Sequence, residues 1–259
     1  MHSKKPLILV SNDDGITSLG IKTLIELMQE LGEVVVVAPD SPQSGMGHAI
    51  TIGEPLRLHA VEIFEGVKAY ECSGTPADCV KLGKHYVLKD RIPDLVVSGI
   101  NHGSNSSISV LYSGTMSAAI EAAIEGIPAI GFSLCDFGPN ADFSHTKPYI
   151  TQIAKAVLEN GLPKGVALNV NFPKITQESV KGIRICRQTN GKWQEDFDRR
   201  KDPYGRYYFW MAGNFVNFDE GQEDTCEWAL GNNYVSVVPC QYDMTAYQTI
   251  KLMQEWQFN

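Results

Sequence analysis

The stretch LILVSNDDG, residues 7–15, runs from four aliphatic residues into two adjacent aspartates and a glycine. The apolar residues that follow have helical spacing and predict a helix ending near Gly32: Ile21, Leu24, Ile25, Met28 and Leu31. Next, EVVVVAP (residues 33–39) is a β-branched run that predicts a buried strand. A short strand–helix–strand unit of this kind implies parallel strands joined by a right-handed crossover.

The same alternation continues along the chain. Apolar segments such as PDLVVSGIN, IPAIGFSL and GVALNVNFP predict further strands, and TPADCVKLGKHYVL, TMSAAIEAAIEG and residues 146–160 predict helices. From about residue 181 the pattern changes to short, aromatic-rich alternating stretches such as RYYFWM and YVSVVP. We therefore predict an α/β fold with a Rossmann-like, doubly wound, mostly parallel sheet over residues 1–178. A β-rich C-terminal extension over residues 179–259 would follow, and we expect it to serve oligomerisation.

Bulk properties limit the partners. The 259-residue chain has a net charge of −8, which argues against binding a nucleic-acid polymer. The six cysteines form no CxxC pattern, as is typical of reduced thiols in a cytoplasmic protein. No apolar run approaches the roughly 20 residues that a membrane helix needs. We expect a cytoplasmic protein without a membrane partner.

Three polar clusters follow predicted strands: residues 12–15 (NDDG), residues 41–45 and Asn101. Ligands bind outside the carboxyl ends of the strands in open α/β sheets, so the fold should bring these clusters together. NDDG has two interpretations. The first is structural: the segment is a tight turn, in a variant of which one aspartate caps the next helix. The capping variant leaves the second carboxylate unexplained. Alternatively a hard divalent cation offsets the repulsion between the two carboxylates. The residues alone leave both open.

Ser113-Gly114-Thr115 stands at the start of a predicted alanine-rich helix. A helix N-terminus offers unpaired N–H groups and a positive dipole end, which together make an anion site. Simple N-capping by Ser or Thr is the alternative. His48 and His102 are each alone, and we interpret them as ordinary loop histidines. The second cluster, SPQSGMGH, lacks the third glycine of a dinucleotide fingerprint.

Four motifs in order, SNDDG, APD…SG, SGIN-x-G-x-N and YSGT-x-x-AAIEG, resemble the survival protein E (SurE) family of metal-dependent nucleotidases. The resemblance covers most of residues 7–135 and resumes weakly at Asp224-Thr225 and at NYVSVVP. Two loops depart from the usual family pattern. Ser106-Ser107-Ile108 stands where the family often has glycine and an acidic residue or asparagine, and SPQSGMGH lacks a basic residue before the serine.

The resemblance implies hydrolysis of nucleoside 5′- and 3′-monophosphates with one divalent metal ion, Mg²⁺ or Mn²⁺, per subunit. It also implies a homodimer or homotetramer in which C-terminal segments are exchanged. The implied metal ligands are Asp13, Asp14, Ser44 and Asn101. The implied phosphate-binding residues are Asn105, Ser113, Gly114 and Thr115.

The sequence thus predicts a 5′-nucleotidase in which Asp13 and Asp14 are catalytic, with Asp13 as base or as direct nucleophile. A non-catalytic nucleotide-binding module and a phosphatase acting mainly on short-chain polyphosphate stay open as alternatives. A haloacid-dehalogenase-type phosphatase needs aspartates at i and i+2, and residue 15 is glycine. A serine hydrolase needs a G-x-S-x-G elbow, which the sequence lacks.

Overall fold

The structure, a computed structural model, describes residues 5–138, 140–175 and 179–258. The strands in chain order are β1 (Leu7–Ser11), β2 (Glu33–Pro39), β3 (Leu58–Val61), β4 (Lys68–Cys72), β5 (Leu95–His102), β6 (Ala129–Leu134), β7 (Val166–Phe172), β8 (Ile183–Ile185), β9 (Gly191–Lys201), β10 (Tyr207–Asn217) and β11 (Val235–Gln241). The α-helices are α1 (Leu19–Leu31), α2 (Pro76–Leu82), α3 (Gly114–Ile124), α4 (Lys147–Asn160), α5 (Cys226–Gly231) and α6 (Tyr247–Met253). A π-helical segment, Gly83–Leu88, continues α2, and 3₁₀ segments cover Ser107–Tyr112 and Ser144–Thr146.

Nine of the described strands form one sheet in the order β3-β4-β2-β1-β5-β6-β7-β11-β8. The six strands from β4 to β7 in that order are mutually parallel, whereas β3 and β11 run antiparallel to their neighbours β4 and β7. The carboxyl ends of β1, β2 and β5 therefore meet at one edge of the sheet. The predicted α/β class with a mostly parallel sheet is confirmed.

Helices cover both faces of the sheet, because each buries one apolar stripe against it. Ile21 and Leu24 of α1 and Ile150 of α4 belong to the apolar core on one face. Val80 of α2 and Met116 of α3 belong to the core on the other face. The doubly wound arrangement follows from this two-sided burial, and it leaves the carboxyl ends of the strands free for a site.

The strands beyond the predicted boundary belong to two different sheets. Strands β8 and β11 extend the central sheet past β7, while β9 and β10 form a separate antiparallel hairpin. The boundary at residue 178 lies outside the described residues. No helix in the described ranges is long and apolar enough to span a membrane.

Candidate active site

The turn after β1 is organised by Asn12. Its Nδ2 donates to the carbonyl of Gly15 and to Oγ of Ser18, both at 2.9 Å. Ser18 is the N-cap of α1, with its Oγ accepting from the N–H of Ile21. The alternative in which an aspartate caps this helix is therefore wrong, because the cap position falls after Gly15. Both carboxylates of NDDG need another explanation.

Asp13 is buried, with only 4% of its surface exposed. Its Oδ1 accepts a 2.5 Å hydrogen bond from Oγ1 of Thr115. Burial raises the pKa of Asp13 to about 6; the Thr115 hydrogen bond opposes the rise and the charge of Asp14 adds to it. A Cβ at Gly114 would lie 2.7 Å from Cβ of Asp13, so glycine lets α3 begin directly against this carboxylate. The structure thus joins the predicted carboxylate pair to the predicted anion site.

Asp14 contacts the end of β5. The backbone N–H of His102 donates to Asp14 Oδ2 at 3.2 Å, and His102 Nδ1 lies 3.2 Å from the same oxygen. The neighbouring Asn101 donates from Nδ2 to the carbonyl of Gly103 at 2.8 Å, which leaves its Oδ1 as the atom that could bind a cation. The interpretation of His102 as an ordinary loop histidine is therefore wrong, because it ends β5 and contacts Asp14. No local pattern relates residue 102 to residue 14.

The loop that carries Ser44 reaches the site through its backbone. The N–H of Gln43 donates to the carbonyl of Asp13 at 2.7 Å. Ser44, the next residue, is exposed. Further along, the N–H of Gly47 donates to the carbonyl of Tyr112 at 3.2 Å, close to the start of α3. The structure places Ser44 one residue from a contact with Asp13, on a solvent-exposed loop.

The start of α3 combines an N-cap with N–H donors that have no acceptor within the helix. Ser113 is the N-cap, and its Oγ accepts from the N–H of Met116 at 3.0 Å. The capping interpretation of Ser113 is therefore confirmed. It does not exclude an anion, because the hydroxyl hydrogen can still be donated. The N–H groups of Gly114 and Thr115 in the first turn have no intrahelical acceptor. The N–H of Thr115 interacts with the carboxylate of Asp13, and a phosphate bound at this helix end would share that donor.

Asn105 is held from three sides in the interior. Its N–H donates to Oδ1 of Asn171 and its Nδ2 donates to Oγ of Ser133, while Nδ2 of Asn169 donates to its carbonyl, each at 2.8 Å. We did not predict these three supporting residues from the sequence. The signal was available in VALNVNF, because two asparagines at alternate positions of an otherwise apolar strand share one face of the sheet.

Residues of the C-terminal part support the same loop. Oγ of Ser107 donates to the carbonyl of Thr189 at 2.8 Å, and Oγ of Ser106 donates to the carboxylate of Glu227. Glu227 lies in the first turn of α5. The extension therefore contributes to the site as well as to the sheet.

The donor chemistry fits a hard divalent cation. No group of three or more His, Cys, Asp or Glu side chains in the described ranges is placed to hold a metal. The predicted ligands instead combine two carboxylates with the neutral oxygens of Ser44 and Asn101, a set that suits Mg²⁺ or Mn²⁺. A cation beside Asp13 would offset both its burial and the charge of Asp14, the two effects that raise its pKa.

Fold and site together define a doubly wound α/β protein in which two adjacent carboxylates lie at the carboxyl edge of the sheet, one of them against the N-terminus of a helix. The family model described as "Survival protein SurE" matches residues 8–195. The chain belongs to this family, as its motifs predicted.

Individual relatives match almost from end to end. The chain is 71% identical over 255 residues to "5′-nucleotidase SurE" of Cytophaga hutchinsonii, covering 98% of each chain. It is 62% identical over 261 residues to the protein of the same name from Christiangramia forsetii, covering 100% of each. The crystal structure of the SurE protein from Aquifex aeolicus superposes with a TM-score of 0.82 at 42% identity, covering 96% of this chain and 98% of that one.

Proposed function

We propose that this protein is a 5′-nucleotidase that hydrolyses nucleoside 5′-monophosphates, and also 3′-monophosphates, to nucleoside and phosphate. The names of its full-length relatives support the 5′ activity. The observation that carries the proposal is the hydrogen bond between Thr115 and Asp13, because it places a buried carboxylate against the anion-binding end of α3. A phosphoryl group held by α3 would lie beside a group able to act on it.

We assign one divalent ion, Mg²⁺ or Mn²⁺, to each subunit. Its ligands would be the four residues at the carboxyl edge of the sheet: Asp13, Asp14, Ser44 and Asn101. When bound, such an ion supplies Lewis-acid polarisation of the phosphoryl group and a coordinated water of lowered pKa. The contacts of His102 with Asp14 would keep that carboxylate in place.

The residues of the chain supply orientation and proton transfer. The N–H groups of Gly114 and Thr115, with the hydroxyl of Ser113, would donate to phosphate oxygens, and Asn105 would hold the far side of the group. Asp13, which is hydrogen-bonded to the first turn of α3, would accept a proton from the attacking water. The phosphate ester bond then breaks, and the departing nucleoside oxygen takes up a proton.

Direct attack by Asp13 on phosphorus is the second route, and it passes through an aspartyl phosphate. A single turnover in ¹⁸O-labelled water distinguishes the two. Water attack transfers the label to phosphate and leaves the protein unlabelled, whereas attack by Asp13 first places the label in the carboxylate when the acyl phosphate is hydrolysed at carbon. Hydrolysis of that intermediate at phosphorus leaves Asp13 unlabelled, so trapping the phosphorylated aspartate with hydroxylamine completes the comparison.

Phosphate release from a panel of nucleoside 5′- and 3′-monophosphates tests the activity. We would treat the protein with EDTA, restore Mg²⁺ or Mn²⁺, and compare wild type with Asp13→Asn and Asp14→Asn. Asp90→Asn is the matched control, because Asp90 is exposed and precedes β5 at the opposite edge of the sheet. Metal-dependent release that both site variants lose and the control keeps supports the proposal.

Two other outcomes separate the alternatives. Nucleotide binding without release under any metal would indicate a non-catalytic nucleotide-binding module. Release from tripolyphosphate that far exceeds release from every nucleotide would make short-chain polyphosphate the main substrate. Both assays use the same anion site, so Ser113→Ala should weaken each of them.

We also propose a homodimer or homotetramer that exchanges C-terminal segments. The register of the hairpin places a row of large apolar side chains on one face of its two strands, together with Glu195, Arg199 and Lys201, while the opposite face is richer in polar residues. The apolar face carries Trp193, Phe197, Phe209, Met211 and Phe215. Phe209 is 58% exposed and Met211 74% exposed, and exposed apolar patches of this kind mark interfaces. Helix α6 also has no buried residue.

The free thiols support a proposed cellular compartment. All six cysteines are free. Disulfides are rare where the glutathione and thioredoxin systems keep thiols reduced, so we propose a cytoplasmic location.

A further inference from the structure

A buried carboxylate lies outside the residues assigned so far. Glu121 of α3 is 3% exposed. Its Oε1 lies 2.5 Å from Nζ of Lys81 on α2, and its Oε2 lies 2.9 Å from Nε2 of His48. Burial alone would raise the pKa of Glu121, but the hydrogen bonds from His48 and Lys81 outweigh it and the pKa falls below its usual value. Glu121 is therefore ionised at neutral pH, and both partners are needed to offset its burial.

His48 belongs to the loop that carries Ser44. Between them, Gly47 passes so close to the segment before α3 that a Cβ there would lie 3.1 Å from the carbonyl of Leu111. One residue after His48, the carbonyl of Ala49 accepts from Oγ1 of Thr75 at 2.7 Å. The loop is thus fixed on the C-terminal side of Ser44, and His48 is its side-chain attachment to α3.

Helix α3 is a common support for two parts of the site. Thr115 in its first turn contacts Asp13, and Glu121 lies six residues further along, about 9 Å at 1.5 Å per residue. A helix is rigid over this distance. The anion-binding end and the attachment point of the Ser44 loop are therefore held at a fixed separation, and the bond between His48 and Glu121 is the side-chain contact that joins the loop to the helix.

We propose that Glu121, acting through His48, is a positioning residue that holds the Ser44 loop where a metal ligand is required. The inference rests on the proposed function, because it takes Ser44 as a ligand. A purely structural ion pair would change thermal stability and leave metal affinity alone. A positioning role changes metal affinity while the nucleotide KM at saturating metal stays constant.

Direct Mn²⁺ binding, measured by electron paramagnetic resonance of the free ion, tests this without relying on turnover. We compare wild type with Glu121→Gln and His48→Ala, and expect each variant to bind Mn²⁺ about tenfold more weakly, the size of effect that supporting residues around a metal have. His48→Gln should recover most of the affinity, because its amide can still donate to Glu121. The Mn²⁺ concentration for half-maximal phosphate release should shift by the same factor.

Glu125→Gln is the matched control. Glu125 follows α3 at its C-terminal end, and it pairs with Lys84 and His85 on the segment after α2. Glu125→Gln removes a carboxylate that also joins the α3 region to the α2 region. Among the described ion pairs, Glu125 makes none with the Ser44 loop. The variant should leave Mn²⁺ binding unchanged.

Two further comparisons decide the outcome. The double variant His48→Ala/Glu121→Gln should bind Mn²⁺ no more weakly than either single variant, since both act through one contact. Wild-type affinity in Glu121→Gln, or additive losses in the double variant, would overturn the positioning role. If Glu121→Gln does not fold, His48→Ala and His48→Gln decide alone, because the His48 side chain is one-third exposed and its removal leaves the core intact.

Failure of the proposed function gives a different pattern. If the wild-type protein neither binds Mn²⁺ nor releases phosphate, the proposed metal site itself is contradicted. If Ser44→Ala weakens Mn²⁺ binding while Glu121→Gln and His48→Ala bind Mn²⁺ as tightly as wild type, only the positioning role is overturned.

Discussion

Oγ1 of Thr115 lies 2.5 Å from Oδ1 of Asp13, so the first turn of α3 is hydrogen-bonded to a carboxylate 102 residues earlier in the chain. A hydrogen bond to a carboxylate is stronger than one between neutral groups, and this one is buried at both ends. It orients Asp13 and keeps the pKa of that carboxyl lower than burial alone would allow. Three of the predictions below concern this contact or its surroundings.

Thr115→Val tests the contact directly. Valine keeps the shape of threonine but cannot donate, and losing a hydrogen bond to a charged group weakens the site by about 1.5–3 kcal/mol. We expect kcat to fall between about tenfold and a hundredfold. Thr115→Ser should restore most of the rate, because it returns the hydroxyl. Equal rates in the valine and serine variants would show that the hydroxyl has no part in turnover.

Asp13→Asn should make the metal-free protein more stable while it inactivates the enzyme. The pKa of Asp13 is raised from 3.8 to about 6 in the folded protein, so the folded state holds its proton more tightly than the unfolded chain does. Stability contributed by the protonated carboxyl is present below pH 4 and is lost as the pH rises through 6. The charged form then destabilises the fold by roughly 3 kcal/mol at neutral pH.

The thermal midpoint measured from pH 4 to pH 8 in EDTA checks this expectation. Wild type should lose stability relative to Asp13→Asn as the pH rises, and the two should converge near pH 4. Adding Mn²⁺ should stabilise wild type alone. A variant less stable than wild type in EDTA at pH 8 would contradict the raised pKa.

Asn171→Ala removes a support of Asn105. The N–H of Asn105 would lose its acceptor in the interior, which costs about 1–3 kcal/mol. We expect the nucleotide KM to rise about tenfold with a smaller change in kcat, because the loop would bind phosphate less well in the ground state and the transition state alike. Asn160→Ala, on an exposed asparagine at the end of α4, should change neither constant. An unchanged KM in Asn171→Ala would separate Asn105 from phosphate binding.

Met211→Glu tests the hairpin as an interface. Met211 lies opposite Phe197 on the apolar face, and burying a carboxylate there in an interface would cost the free energy of removing it from water. Sedimentation velocity should show smaller species than wild type at the same concentration. Asn214→Glu, on the polar face of the same strand, should keep the wild-type distribution. Identical distributions for all three proteins would show that this face is not the contact between subunits.

Local patterns were enough to predict the central elements. The apolar residues at helical spacing predicted α1, and its observed end at Leu31 agrees with a stop at Gly32. Thr75 and Pro76 predicted the start of α2, where the structure has a capping box. In the middle of the chain, the expected helix TMSAAIEAAIEG begins one residue earlier, at Gly114, because Ser113 is its cap. Each of these signals lies within a few residues of the feature that it predicts.

The partners of the supporting residues have no such local signal. His102 meets Asp14, and Asn171 meets Asn105, because the sheet order places β1, β5, β6 and β7 side by side. A lone histidine has no distinctive spacing, and the alternating asparagines of β7 mark a polar face without identifying its partner. Predicting these pairs required the order and register of the strands, which a single sequence does not contain.

The insertion of β11 between β7 and β8 has a consequence for the growing polypeptide. Asn171 of β7 is in register with Ser236 of β11, so β7 is an open edge until the last part of the chain leaves the ribosome. An open edge strand pairs readily with another chain. The part of the protein that carries the proposed metal ligands therefore depends on β11 for protection of this edge during synthesis. We expect a polypeptide that ends before residue 235 to aggregate through β7, even though it contains every proposed metal ligand.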